Sequence, residues 1–216
     1  MLTDLPNLLT LSRICAVPLV VALALVQRPG ADLAAAAVFA AAAVTDYFDG
    51  RIARERRQLS EFGRMLDPIA DKLLVGATLM VLAGEGRLGR WSLLPAIVVL
   101  LREILVSGLR EYLAGLRVGL PVTPLAKWKT GFQMGALGTM LAGDASARLV
   151  GLGFLHVTAI GVVMLWIAAG LTLITGWGYV TAGLSHVMPG GRGPERGVPL
   201  SSGPRGARPA GPTKEP

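Results

Sequence analysis

Cysteine and histidine are almost missing from this chain: Cys15 stands alone, and His156 and His186 are its two imidazoles. One thiol excludes a disulfide scaffold, and these three residues cannot supply a Cys/His zinc site. Charge is also scarce, at 16% of residues, and aromatics make up 6%. With 52% of its 216 residues hydrophobic, the chain falls among membrane proteins rather than soluble ones. The N-terminus lacks a basic stretch ahead of a short apolar segment and cleavage site. No removable signal peptide is expected, and the first span should stay.

What the chain does have is apolar stretches of the length that crosses a bilayer, roughly 17 to 25 residues each. They fall near Leu8 to Val26, Leu33 to Arg54, Leu66 to Gly84, Ser92 to Leu113, Leu125 to Ala142 and Phe154 to Trp177. Turn residues separate them at Arg28-Pro29-Gly30, Gly84-Glu85-Gly86, Gly119-Leu120-Pro121 and Gly143-Asp144. Pro18 and Pro95 are tolerable inside spans, where neighbouring groups satisfy the freed carbonyls. The expected fold is an all-α integral membrane protein, a bundle of six transmembrane helices over residues 1–185. Small residues from Ala34 to Ala43 allow close helix contact, within the chain or between two copies in a homodimer. From 186 to 216 the sequence is rich in Gly, Pro, Ser and Arg, too poor in large apolar groups to order itself, and reads as a disordered basic tail. It is either simply solvated or drawn to anionic lipid.

Lys and Arg gather in alternate loops: Arg54, Arg56, Arg57 and Arg64, then Arg117, Lys127 and Lys129, then the tail. The positive-inside rule puts both termini in the cytoplasm, in a multi-pass protein of the plasma (inner) membrane. The partner implied is the lipid bilayer, and no nucleic acid is expected.

Four carboxylates stand out against this apolar background: Asp46, Asp49, Asp67 and Asp71, in the frame D-x2-D-G-x2-A-R-x8-G-x3-D-x3-D. Carboxylates within or beside hydrophobic runs are costly unless something positive offsets them. Residues three and four apart share a helix face, so Asp46 and Asp49 face together, as do Asp67 and Asp71. Gly50, Ala53 and Arg54 continue the first stripe, giving two small side chains where a ligand can approach the backbone, then a cation suited to phosphate. If the two segments are antiparallel neighbours joined around Gly63, four carboxylates converge on one small volume and require cations between them. An all-oxygen ligand set suits Mg2+ or Mn2+.

The stretch DYFDGRIARERRQLSEFGRMLDPIADK fills every fixed position of that frame, and it resembles the signature of the CDP-alcohol phosphatidyltransferases. The resemblance covers about residues 5 to 180. It implies an integral membrane enzyme that binds two divalent metal ions, holds a CDP-activated lipid, and transfers its phosphatidyl group to a small alcohol with release of CMP. Carried over by position, it makes Asp46, Asp49 and Asp67 metal ligands, and Asp71 the general base beside a metal. It further implies that Gly50 and Ala53 admit the cytidine while Arg54 holds phosphate. The active site then lies at the cytoplasmic boundary.

The acceptor alcohol is addressed by the second half of the chain. L-R-E-I-L-V-S-G-L-R-E-Y, Leu101 to Tyr112, sets Arg102, Glu103, Arg110 and Glu111 in an otherwise apolar helix, where ionisable groups read as functional. Arg102, Arg110, Lys127 and Lys129 together offer a cationic pocket for an acceptor that itself carries phosphate; the competing reading is ion pairing and snorkelling that merely hold the bundle. This region, with K-x-K-T-x-x-Q from Lys127 to Gln133 and P-N-L-L-T-L-S-R from Pro6 to Arg13, resembles the branch that makes phosphatidylglycerophosphate. That branch implies CDP-diacylglycerol and glycerol 3-phosphate as substrates. Asn7, Thr10 and Arg13, at three-residue spacing, share a face toward the site, or serve only to cap and anchor the first helix. Two alternatives remain: the same chemistry on phosphatidylglycerol, serine or inositol phosphate, and a metal- or proton-coupled transporter. Against the transporter, the aspartate frame has no second copy in the chain.

Overall fold

The computed structural model describes residues 5–56, 61–115 and 124–187, with side chains at 10–46, 66, 68–115 and 124–181. Six helices follow one another: α1 (Leu5–Leu25), α2 (Pro29–Arg56), α3 (Glu61–Gly84), α4 (Arg90–Gly115), α5 (Pro124–Leu149) and α6 (Val157–Val187). Each overlaps one of the expected apolar stretches, with Val26 falling just after α1 and Phe154 to His156 just before α6, so the all-α architecture holds. α2 is described to Arg56 and α3 from Glu61, and Gly63 is a helical position of α3 rather than the joint. Two helices, α4 and the Val157–Thr181 part of α6, are long and apolar enough to cross a membrane by composition alone, with a shorter apolar run at Thr10–Leu25. The tail expected from residue 186 lies outside the described residues beyond Val187.

Polarity runs from inside to outside in reverse of a soluble domain. Leu101, Ile104, Leu105, Val163, Leu173 and Ile174 are exposed, whereas Arg13, Lys129 and Gln133 are buried. Buried charge beneath an apolar coat is the pattern of a chain whose surroundings are lipid. Trp91 stands exposed at the start of α4 and Trp128 near the start of α5, where interfacial tryptophans are common.

Packing sets the site. α1 packs against both α2 and α3, α2 against α5, and α4 and α5 each against α6. The core joins Val20 and Ala24 of α1, Ala35 and Phe39 of α2, Leu74 and Leu82 of α3, Val99 of α4, Leu137 and Met140 of α5 and Leu165 of α6. Ala35, Phe39 and Ala42 thus spend one side of the small-residue run on contacts within the chain. Without a hydrophobic drive in lipid, close backbone approach carries helix association, and α5 and α6 show it. A Cβ on Gly161 would stand 2.5 Å from Met140 Cγ, 2.7 Å from Thr139 Oγ1 and 3.1 Å from the Ala136 carbonyl oxygen. Gly161→Leu therefore forces these helices apart and is expected to cost about 1–3 kcal/mol, as overpacking does. Thermal unfolding in detergent checks this; an unchanged midpoint would mean that the α5–α6 seam opens freely.

The end of the bundle away from the aspartate frame is tied by charge. The Arg87 guanidinium donates to Asp32 Oδ1 at 2.7 Å and to the Leu141 carbonyl at 2.8 Å, and its Nε lies 2.6 Å from Glu85 Oε2. Burial pushes the Glu85 carboxyl up against the pull of Arg87. Gly143, at φ 66° and ψ 166°, breaks the helical path inside α5, a conformation open essentially to glycine. Beyond it the Thr158 backbone N–H donates to Asp144 Oδ1 at 3.0 Å, which caps α6 and holds that carboxyl below the ordinary range. The Gly143-Asp144 turn read from the sequence is thus a kink and a cap, with α5 resuming to Leu149.

Candidate functional site

Asp46 lies in the second half of α2 and Asp71 in the first half of α3, at one end of the bundle. Because α1 packs on both helices, its Arg13 reaches this end from within. Arg13 is 2% exposed, and its Nη1 lies 2.6 Å from Asp46 Oδ1. Thr10, one turn earlier on the same face, is also buried. Of the face expected from the Asn7, Thr10 and Arg13 spacing, Arg13 meets one aspartate of the frame. A guanidinium this deep needs a fixed anion, and the anion it has is a member of the frame.

Asp71 stands in the electrostatic field of Asp46 and Glu103 on one side of the balance and of Arg13 and Lys129 on the other. The two described carboxylates of the frame, one on α2 and one on α3, thus lie within electrostatic reach of each other. The side chains of Asn7, Asp49, Gly50, Ala53, Arg54 and Asp67 lie outside the described residues; their backbones are helical in α1, α2 and α3. Among the described residues no group of three or more His, Cys, Asp or Glu side chains could hold a metal. The carboxylates that are described offer hard oxygen donors at a place where acidic groups crowd, which suits a hard divalent cation.

Asp71 and Glu103 also line a groove of about 220 Å3 between α3 and α4, walled by Ile69, Leu73, Val75, Leu100 and Ile104. Ile69, Leu73 and Ile104 are exposed, so the groove opens sideways along the apolar coat of the bundle.

The four cations expected to receive an acceptor separate into two groups. Arg102 and Arg110 of α4 meet on one ring of α6: their guanidinium carbons lie 5.9 Å and 5.2 Å from the Tyr179 centroid. Arg110 Nη2 donates to the Tyr179 hydroxyl at 3.1 Å and Arg102 Nη2 to Thr175 Oγ1 at 2.8 Å. Lys129 of α5 is buried and bonds Glu103, whose Oε1 is 3.6 Å from Arg102 Nη1. Glu103 thus links the two groups. Lys127 is exposed, two positions from Lys129 and so off its face. Ion pairing and a cationic cluster are both present here, and the two readings of these residues are not exclusive.

Tyr179 has no part in the frame or in the charged runs. Its trace in the sequence is Thr175, Gly176 and Tyr179, small and polar residues within one turn of an apolar helix. Arg102 Nε, Gln133 Oε1 and Thr172 Oγ1 are buried without a hydrogen-bond partner among the described residues. Unmet buried polar atoms are uncommon and mark places where a ligand or water belongs.

Comparison with known proteins returns the same chemistry. The family model described as CDP-alcohol phosphatidyltransferase matches residues 3–174. A protein of Rickettsia bellii named CDP-diacylglycerol–glycerol-3-phosphate 3-phosphatidyltransferase is 42% identical over 179 residues, covering 83% of this chain and 94% of its own length. One of the same name from Cereibacter sphaeroides is 38% identical, covering 85% of this chain and 97% of its own. A cardiolipin synthase (CMP-forming) of Oryza sativa is 40% identical over 80% of this chain and 55% of its own length.

Proposed function

The chain belongs to the CDP-alcohol phosphatidyltransferase family, and on that premise we propose that it transfers the phosphatidyl group of CDP-diacylglycerol to glycerol 3-phosphate, releasing CMP and phosphatidylglycerophosphate. The observation that carries the choice of acceptor is the continuity of charge from Asp71 through Glu103 to Lys129, Arg102 and Arg110. A carboxylate able to take a proton stands next to a cluster with cations in excess, so a hydroxyl and a phosphate of one small molecule are served together.

In this reading Asp71 accepts the proton of the acceptor hydroxyl as its oxygen attacks the phosphorus attached to diacylglycerol. Asp46, Asp49 and Asp67, with Asp71 beside them, would hold two divalent ions of the Mg2+ or Mn2+ kind, which when bound would supply charge stabilisation for the pyrophosphate. Arg13 holds Asp46 through Oδ1 and limits its rotation. Gly50 and Ala53 leave room for cytidine, Asn7 and Thr10 face the same end, and Arg54 binds phosphate oxygens. The groove beside Asp71 offers the acyl chains an apolar path from the bilayer to the reacting phosphorus. All six helices span the inner membrane with both termini cytoplasmic, so that the charged end meets soluble glycerol 3-phosphate.

The Oryza relative keeps a second acceptor in view, phosphatidylglycerol, which also presents a hydroxyl and a phosphate. CMP release by the detergent-purified chain tests the proposal. It is expected with CDP-diacylglycerol and glycerol 3-phosphate, to stop with EDTA and to return with Mg2+ or Mn2+. Release that ignores EDTA contradicts the aspartate mechanism.

A further inference from the structure

Two guanidiniums drawn to one aromatic ring repel each other, and the arrangement is stable only with an anion near. Arg102, Arg110 and Lys129 have one carboxylate, Glu103, within ion-pair distance of any of them among the described residues. The excess of positive charge is built, because three features of α6 fit the arginines. Tyr179 is 5% exposed, so its hydroxyl accepts from Arg110 at a fixed place. Thr175 Oγ1 is itself anchored by donating to the Leu171 carbonyl at 2.8 Å, and from there it accepts from Arg102. Gly176 has no side chain where Arg102 lies: a Cβ there would stand 3.3 Å from both Cγ and Nε of Arg102. The seat still leaves Arg102 Nε buried without a partner among the described residues.

We propose that Tyr179, with Thr175 and Gly176, is a positioning residue that seats Arg102 and Arg110 as a fixed pair for a phosphomonoester dianion, and so sets the preference for a phosphorylated acceptor. This rests on the glycerol 3-phosphate reading above. Tyr179 touches neither substrate; it acts by holding the two arginines, one by hydrogen bond and both by the face of its ring. Two fixed forks recognise a phosphate where two mobile ones lose affinity to ordering. The same chemistry exists in the pyrophosphate of CDP-diacylglycerol, and kinetics separate the two sources.

The full-length chain in detergent, as wild type, Tyr179→Phe, Tyr179→Leu and Gly176→Leu, is assayed for CMP release with each substrate varied in turn. Tyr179→Phe keeps the ring, which still holds both guanidiniums, and loses the hydroxyl, so KM for glycerol 3-phosphate should rise about 3- to 10-fold, the worth of one ordinary hydrogen bond, with KM for CDP-diacylglycerol within about 2-fold. Tyr179→Leu and Gly176→Leu should shift it further in the same direction. Protection of the wild type against heat by glycerol 3-phosphate alone should weaken in the same order. If the Leu variants fail to fold, Tyr179→Phe carries the test. A Tyr179→Phe indistinguishable from wild type, or one raising both KM values together, overturns the seat while leaving the transferase intact. A wild type that releases CMP only with an acceptor lacking phosphate overturns the acceptor reading and the seat with it.

Discussion

Asp71→Asn is expected to remove transfer, by roughly 100- to 10,000-fold in kcat, the span of a lost general base, while the protein still folds and still binds CDP-diacylglycerol. Asn keeps the size of the side chain and cannot accept the hydroxyl proton at neutral pH. The fold should tolerate it because the Asp71 carboxylate has two acidic neighbours, Asp46 and Glu103, as well as two basic ones, Arg13 and Lys129. Loss of one negative charge from such a set relieves repulsion as well as attraction. Single-turnover CMP formation, with CDP-diacylglycerol binding measured separately, checks the expectation. Turnover at the wild-type rate would remove Asp71 as the base, and loss of CDP-diacylglycerol binding would make it a ligand of the substrate complex instead.

Arg110→Ala should act on the other substrate. Arg110 is exposed, so the change leaves no buried cavity, but it frees Tyr179 and takes one fork from the cationic pair. A charge-assisted hydrogen bond to phosphate is worth about 1.5–3 kcal/mol, which puts the rise in KM for glycerol 3-phosphate at roughly 10- to 150-fold. KM for CDP-diacylglycerol should move far less. Equal effects on both substrates would assign Arg110 to the stability of the α4–α6 contact.

Helix number and order were legible because each helix overlaps one apolar stretch set off by turn or charged residues. Helix ends were less so, because hydropathy marks the apolar stretch and the helix ends where its backbone hydrogen bonding does. α6 reaches Val187, ten residues beyond the apolar limit at Trp177, and α5 passes its kink at Gly143 to end at Leu149. The aspartate frame was legible because spacing by three and four fixes a helix face before any tertiary contact is known. Partners across helices were not. Nothing in the local sequence tells Arg13 that its anion is Asp46, or Lys129 that its anion is Glu103, since both pairs follow from which helices pack together. Tyr179 was missed for the same reason: one phenol in an apolar helix looks like packing until two arginines are found on it. At the far end, Asp32, Glu85 and Arg87 form a network that ties α2, the α3–α4 turn and α5, and its pairing likewise follows from which helices pack together.

In the proposed reaction the carboxylate end of this bundle joins a CDP-activated lipid to a phosphorylated alcohol. The most direct measurement offers the purified protein CDP-diacylglycerol and Mg2+ with an equimolar mixture of glycerol 3-phosphate, glycerol, serine, inositol phosphate and phosphatidylglycerol, and identifies the lipid product by mass. Phosphatidylglycerophosphate, formed in step with CMP, is the predicted result. Cardiolipin or another phosphatidyl ester as the main product would keep the aspartate chemistry and contradict the acceptor assigned to Arg102 and Arg110; no CMP at all would contradict the account.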